Sequence, residues 1–253
     1  MTSKSLVILI GTTSLILLAQ LSVAGGKRGP TAEVLHYELQ ALGGPAGEAA
    51  LTMGAARKVK GKRLRPIRLE SRTVGMAGRV YPFVGGGTTW IDDQDLPIRI
   101  RWDSDTPLGR RTVSANTNGK RLHGEYKRGT IHKRVKRDLD QRPTDLVSAV
   151  AWLASRPLKP GDTLKIPVFL GMRVYDMVAT VGEADTIHLP VGIREAVPVR
   201  IVATNGKRRY DAEVWYTTSD HTPALLRVRI RGLGLFEARL SRRGPVATGP
   251  KRP

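Results

Sequence analysis

The sequence predicts a mainly β protein: a single strongly curved antiparallel sheet, or incomplete β-barrel, with one short central helix at about 145–155. Three observations predict it. Apolar and charged residues alternate with period two in runs such as 98–102 and 224–231, the mark of half-buried strands. Asn-Gly pairs at 118–119 and 205–206 sit between strand-like residues, a strong hairpin signal because both turn positions favour positive φ. Against these, "DLVSAVAWLAS" (145–155) has helical spacing and no charge after Asp145.

The N-terminus reads as a secretory signal over 1–24: Lys4, an apolar run of roughly 16 residues, and Ser22-Val23-Ala24 as a small-x-small cleavage site ending at Ala24. The run is short for a spanning helix, which needs about 20 residues. A soluble periplasmic protein is expected, with an uncleaved inner-membrane anchor the alternative. Residues 25–30 form a flexible leader, 31–241 a β-rich domain, and 242–253 a disordered basic tail.

Along the domain, 32–42 and 47–57 read as strands around the Gly43-Gly44-Pro45 turn, and 58–66 as a basic loop or edge. One or two strands follow in 67–84. Gly85-Gly86-Gly87 reads as a tight turn, since no Lys-Ser/Thr and no helix pattern follow it to make a phosphate cradle. Two elements, 90–102 and 215–231, share a Trp, an acidic turn, then a Pro opening an Arg-alternating strand. The Asn-Gly hairpins fall in a different order relative to them, so one hairpin solution is used twice rather than duplicated in tandem.

In the second strand of each element Ile98, Ile100 and Trp102, or Leu226, Val228 and Ile230, face one way and arginines the other. The arginine ladders need partners, and Glu213 and Glu237 are the candidates. The competing reading makes Arg99, Arg101, Arg227, Arg229 and Arg231 an anion-binding face. The most basic run, 127–145, is expected as a loop. Thr144 is the expected N-cap of the helix, Asp145 a first-turn residue, and Pro157 the stop. A helix apolar nearly all round is a buried one, so it should plug the concave side of the sheet. Strands are expected at 163–170, 172–182, 186–190, 196–204, 210–217, 224–231 and 233–241.

Composition narrows the chemistry. The 253 residues include 40% apolar ones, enough for a core, and no cysteine, which excludes disulfides and thiolate chemistry. The net charge of +20 favours anionic envelope components over nucleic acid in an exported protein. The bland alternative is that these charges are merely solvated. The five histidines lack metal-ligand spacing, no Gly-x-Ser-x-Gly elbow occurs, "DDQD" (92–95) lacks a full calcium loop, and Asp220-His221 reads as a turn. No catalytic residue, metal ligand or cofactor site is assigned.

From Asp145 to Phe169 the chain resembles an exported bacterial family, domain of unknown function 3108. Asp145, Ser148, Leu153, Arg156, Pro157, Leu158, Pro160, Gly161 and Asp162 carry the likeness, with Pro198 to Ile201 and then Trp215, Asp220 and Pro223 downstream. The resemblance implies fold and export, not an activity. It is also similar, as fold analogy, to periplasmic lipoprotein carriers, whose incomplete barrel is capped by helix. Three functions follow as expectations. The first is a non-catalytic binder of an apolar or amphiphilic ligand such as a lipid, lined by Leu146, Val150, Trp152 and Leu153. The second is an assembly factor docking on anionic surfaces through its arginine face. The third is an enzyme of unidentified class.

Overall fold

The computed structural model describes residues 32–246 apart from 207 and 231–233. The predicted signal with Ala24, the leader, Arg231 and the last residues of the tail lie outside the described residues. Seventeen strands and two short helices follow in order: β1 (Glu33–Ala41), β2 (Gly44–Met53), β3 (Arg57–Val59), β4 (Lys62–Thr73), α1 (Gly75–Val80), β5 (Val84–Ile91), β6 (Pro97–Asp105), β7 (Arg111–Asn118), β8 (Arg121–Arg128), β9 (Ile131–Asp138), β10 (Thr144–Asp145), α2 (Leu146–Ala154), β11 (Thr163–Leu170), β12 (Arg173–Val181), β13 (Asp185–Leu189), β14 (Gly192–Asn205), β15 (Arg208–Thr217), β16 (Pro223–Ile230) and β17 (Gly234–Pro245).

Hydrogen bonding runs from β9 through β8, β7, β6, β5, β4 and β2 to β1. It continues through β17, β16, β15 and β14 to β12 and β11. These neighbours are all antiparallel, and only the two-residue β10 pairs in parallel, with β11. The penultimate strand β8 meets β11 through side chains. A Cβ on Gly124 of β8 would lie 2.9 Å from the Phe169 ring of β11, so glycine there lets the ring close the gap.

Alternation fills the inside of this incomplete barrel. Leu35, Tyr37 and Leu39 of β1, Ile67 and Leu69 of β4, Ile100 and Trp102 of β6, and Leu226 and Val228 of β16 are buried. Arg99, Arg101, Arg227 and Arg229 are exposed on the outer face, as period two predicts. All nine residues of α2 are buried in the same core. The plug is tied down by Tyr216, whose hydroxyl donates to the Val150 carbonyl at 3.2 Å.

Four local expectations change. Asp145, not Thr144, caps α2: its carboxylate accepts the Val147 and Ser148 amides at 2.8 and 3.2 Å, and Ser148 Oγ accepts the Asp145 amide at 3.0 Å. Thr144 belongs to β10 instead. Residues 131–138, expected within a loop, form β9, an edge strand whose charge keeps it from pairing with other chains. Gly85–Gly87 is not a turn but lies within β5, where the Phe83 and Trp102 rings pack at Cβ distance from Gly85 and Gly87. The turn at that point is made by α1, and the last strand runs to Pro245, four residues past the expected boundary.

Candidate functional site

A meander places its connections at two ends. At one end, the mouth, lie residues 42–43, 74–83, 106–110, 129–130 and 171–172, between strands whose registers fix their direction. At the other end, the base, lie 92–96, 119–120, 139–143, 155–162 and 218–222. Helix α2 descends towards the base, where its last carbonyls meet His221: the His221 ring lies 3.2 Å from the Ala154 carbonyl oxygen.

Above the N-terminus of α2, inside the mouth, is a cleft of about 90 Å³. Its walls are Ile100, Trp102 and Val113 from one side of the barrel, Phe169, Tyr175 and Tyr210 from the other, and Leu146 with Val147 at the floor. Arg111, Arg173 and Arg208 also line it. Trp102 Nε1 and Arg111 Nε are buried without any hydrogen-bond partner.

They are not alone. Six buried side-chain polar atoms lack a partner among the described residues, and the other mouth-end ones are Ser71 Oγ, Tyr81 OH and Ser104 Oγ. Register explains the clustering: Ser71 faces Gly85, Gly85 faces Ser104, and Ser104 faces Arg111 across adjacent strands. An inward row of hydroxyls thus ends on a guanidinium. Buried polar groups in folded proteins are nearly all satisfied, which sets apart Trp102 Nε1 and Arg111 Nε, the two of these atoms whose residues line the cleft. Burial also lowers the pKa of the Arg111 guanidinium, with the neighbouring Arg128 acting in the same direction. In the floor, burial pushes the Asp145 carboxyl above its ordinary range, opposed by hydrogen bonds from Ser148, Val147 and Thr89.

The expected ligand-lining set divides. Leu146 lines the cleft, whereas Val150, Trp152 and Leu153 do not. They are the plug itself, buried at 0%, 8% and 0% exposure, and the helix occupies the space an acyl chain would need. The Trp152 ring is further covered by Arg156, whose guanidinium carbon lies 3.9 Å from the ring centroid. Sequence reading missed Arg111, Trp102, Tyr175 and Tyr210. Arg111 alone carried a signal: it occupies an inward position of an otherwise apolar alternation with Val113 and Ala115.

The arginine ladders do not form one face. Arg99 and Arg101 lie on β6 and Arg227 and Arg229 on β16, six strand steps apart, roughly 30 Å along the sheet. Arg101 pairs with Asp103 at 3.1 Å and Arg227 with Glu237 at 2.5 Å. Glu213 stands opposite Arg227 in register. A wide valley of about 1170 Å³ crosses the outer face over Gly85–Gly87, and the ion pairs Arg68–Glu70, Arg72–Glu48 and Arg101–Asp103 line it.

A mostly antiparallel, barrel-like sheet plugged by a helix defines the class. The chain belongs to the family described as protein of unknown function DUF3108, whose sequence profile matches residues 35–240. No curated protein matches it. Among solved structures it resembles the beta-barrel-like protein of domain of unknown function DUF1849 from Brucella abortus, at 12% identity and TM-score 0.57, over 87% of this chain and 100% of that one. A lipoprotein candidate from Parabacteroides distasonis aligns at 7% identity and TM-score 0.35, over 88% of this chain and 99% of that one. The family's own motif residues are scaffold here: Asp145 and Ser148 close the helix cap, and Pro223 offers its carbonyl to the Tyr37 hydroxyl at 2.9 Å.

Proposed function

We propose that the protein is an exported, non-catalytic envelope component that binds the anionic head of an amphiphile at the mouth of its barrel. The observation that carries this reading is the pair of buried, unpartnered N–H donors, Trp102 Nε1 and Arg111 Nε, on one aromatic-walled cleft. A cleft of 90 Å³ has room for about three waters, well below the ~300 Å³ or more of a pocket that encloses a whole small molecule. It therefore takes a carboxylate or phosphate head, with the chain outside, rather than an acyl tail in the core. Arg111 supplies charge-assisted donors, Trp102 a neutral one, and the tyrosines an apolar collar. Export rests on the signal-like segment 1–24.

The test is titration with dodecyl phosphate, read by native mass spectrometry and by tryptophan fluorescence. A one-to-one complex is expected, weakened at least tenfold in Arg111→Met, with dodecanol failing to bind. Arg111→Met should leave the unliganded fold as stable as before, because a buried unpaired charge is replaced by an apolar chain of similar length. Equal binding of dodecanol, or an Arg111→Met protein that no longer folds, would make Arg111 structural and end the proposal.

A further inference from the structure

The mouth carries a second feature that the head-group cleft does not use. The large apolar side chains exposed among the described residues are Leu42, Met76, Val80, Val84, Leu108, Ile131 and Ile193. All but Ile193 stand at the mouth: Leu42 in the β1–β2 turn, Met76 and Val80 on α1, Val84 at the start of β5, Leu108 in the β6–β7 turn and Ile131 at the start of β9. Met76 and Val80, at 69% and 77% exposure, are four residues apart and share one side of α1, and none of α1 is buried.

Charge at this end is mostly of one sign. The described mouth connections contain no Asp or Glu, while Arg79, Arg110, Arg128, Arg173 and Arg208 stand in or beside them. Arg110 reaches Asp103 at 3.8 Å and Arg128 donates to the Leu108 carbonyl. Arg79, Arg173 and Arg208 make no ion pair among the described residues. Asp105, at the end of β6 beside the 106–110 connection, is the acidic exception, with Asp103 two residues further in.

We infer that the mouth is a docking surface for an anionic lipid bilayer, with the apolar tips entering the interface and the arginines meeting head-group phosphates. The pattern fits a bilayer better than a protein partner. Apolar tips dispersed on separate turns, each beside a cation, can all dip into one fluid plane, whereas a protein interface concentrates its apolar residues in a contiguous patch. Arg173 and Arg208 line the cleft as well as the rim, so docking would set the cleft directly over lipid head groups. The inference goes beyond the head-group reading and shares only Arg173 and Arg208 with it.

Residues 25–253, which contain every described strand, would be sedimented with phosphatidylglycerol and with phosphatidylcholine vesicles. Binding to the anionic vesicles should be at least tenfold stronger and should weaken as salt rises. The double variant Met76→Ser/Val80→Ser, which changes no charge, should weaken it at least fivefold, while Ile193→Ser stays within twofold. Circular dichroism should show the same melting curve for all three proteins, since the altered side chains are exposed. No preference for anionic vesicles, an unaffected double variant, or an Ile193→Ser variant equally impaired would each overturn the inference. Wild-type binding to vesicles without binding of dodecyl phosphate would overturn the head-group reading alone.

Discussion

The two ends of the barrel are built from the same antiparallel strands and differ in what joins them. The base connections carry Asp92, Asp93, Asp95, Asp140, Asp162 and Asp220, and three of these carboxylates are locked to arginines. Arg142 meets Asp92 at 2.7 Å and the Leu96 carbonyl at 2.9 Å, Arg65 meets Asp95 at 2.6 Å, and Arg243 bridges Glu33 and Asp220. These pairs are more buried than exposed, the Arg142 and Asp92 side chains being 16% and 22% accessible. The mouth has apolar tips, arginines without an ion pair among the described residues, and a row of buried polar side chains instead. Arg65, Arg142 and Arg243 staple the base, whereas Arg79, Arg173 and Arg208 at the mouth make no ion pair among the described residues. A folded protein keeps unpaired donors and exposed apolar tips together where something else is to cover them.

The comparison can be broken in three ways. The largest effect should come from the plug that seals the base half. Leu153→Ala removes a side chain with no exposure and should cost roughly 2–5 kcal/mol in urea unfolding. A loss under about 1 kcal/mol would mean that α2 is loosely held. Next come the arginines. Arg142→Met removes the charge partner of a mostly buried Asp92 and one donor each from the Leu96 and Pro97 carbonyls, and should cost about 2 kcal/mol. At the mouth, Arg208→Ala should cost less than about 0.5 kcal/mol by the same measurement. Similar losses at both ends would erase the distinction between staple and free cation.

The smallest effect is a slope. Burial raises the Asp145 pKa in the fold, so the folded state holds this proton more tightly than the unfolded chain does. Its contribution to stability is complete below the ordinary carboxyl range and is lost as pH rises from about 4 through the raised value. Asp145→Asn keeps an oxygen for the Val147 and Ser148 amides and should flatten that part of the stability-against-pH curve. An unchanged slope between the wild type and Asp145→Asn would show that Asp145 titrates normally.

Much of this was legible before folding. Period two placed Arg99, Arg101, Arg227 and Arg229 outside and Ile100, Trp102, Leu226 and Val228 inside, because a strand has only two faces and one must be apolar. The continuous apolarity of 146–154 announced a buried helix. Its cap was misassigned by one residue because Thr144 and Asp145 are both good caps, and only pairing of Thr144 with Val168 decided between them. The strand at 131–138 was hidden by its charge: an edge strand buries little, so it shows no apolar alternation. The glycine triplet was misread because its cause lies off the strand, in the rings of Phe83 and Trp102.

The site was less visible than the fold. Leu146 was found because it belongs to the helix, but Arg111 and Trp102 are one strand apart in space and nine residues apart in sequence, and no local pattern links them to Tyr175 or Tyr210. By itself the sequence determined the β architecture, the buried helix, the sides of the arginine ladders and the likeness to its family, since each depends on local periodicity or on a short motif. The sequence also placed that helix inside the sheet, and only the tertiary structure decided that Trp102 Nε1 and Arg111 Nε converge on one cleft. It also sorted apolar tips and free arginines to one end and stapled carboxylates to the other. Those properties depend on which connections an antiparallel meander brings together, and strand register, unlike side-chain alternation, is fixed by contacts between residues far apart in the chain.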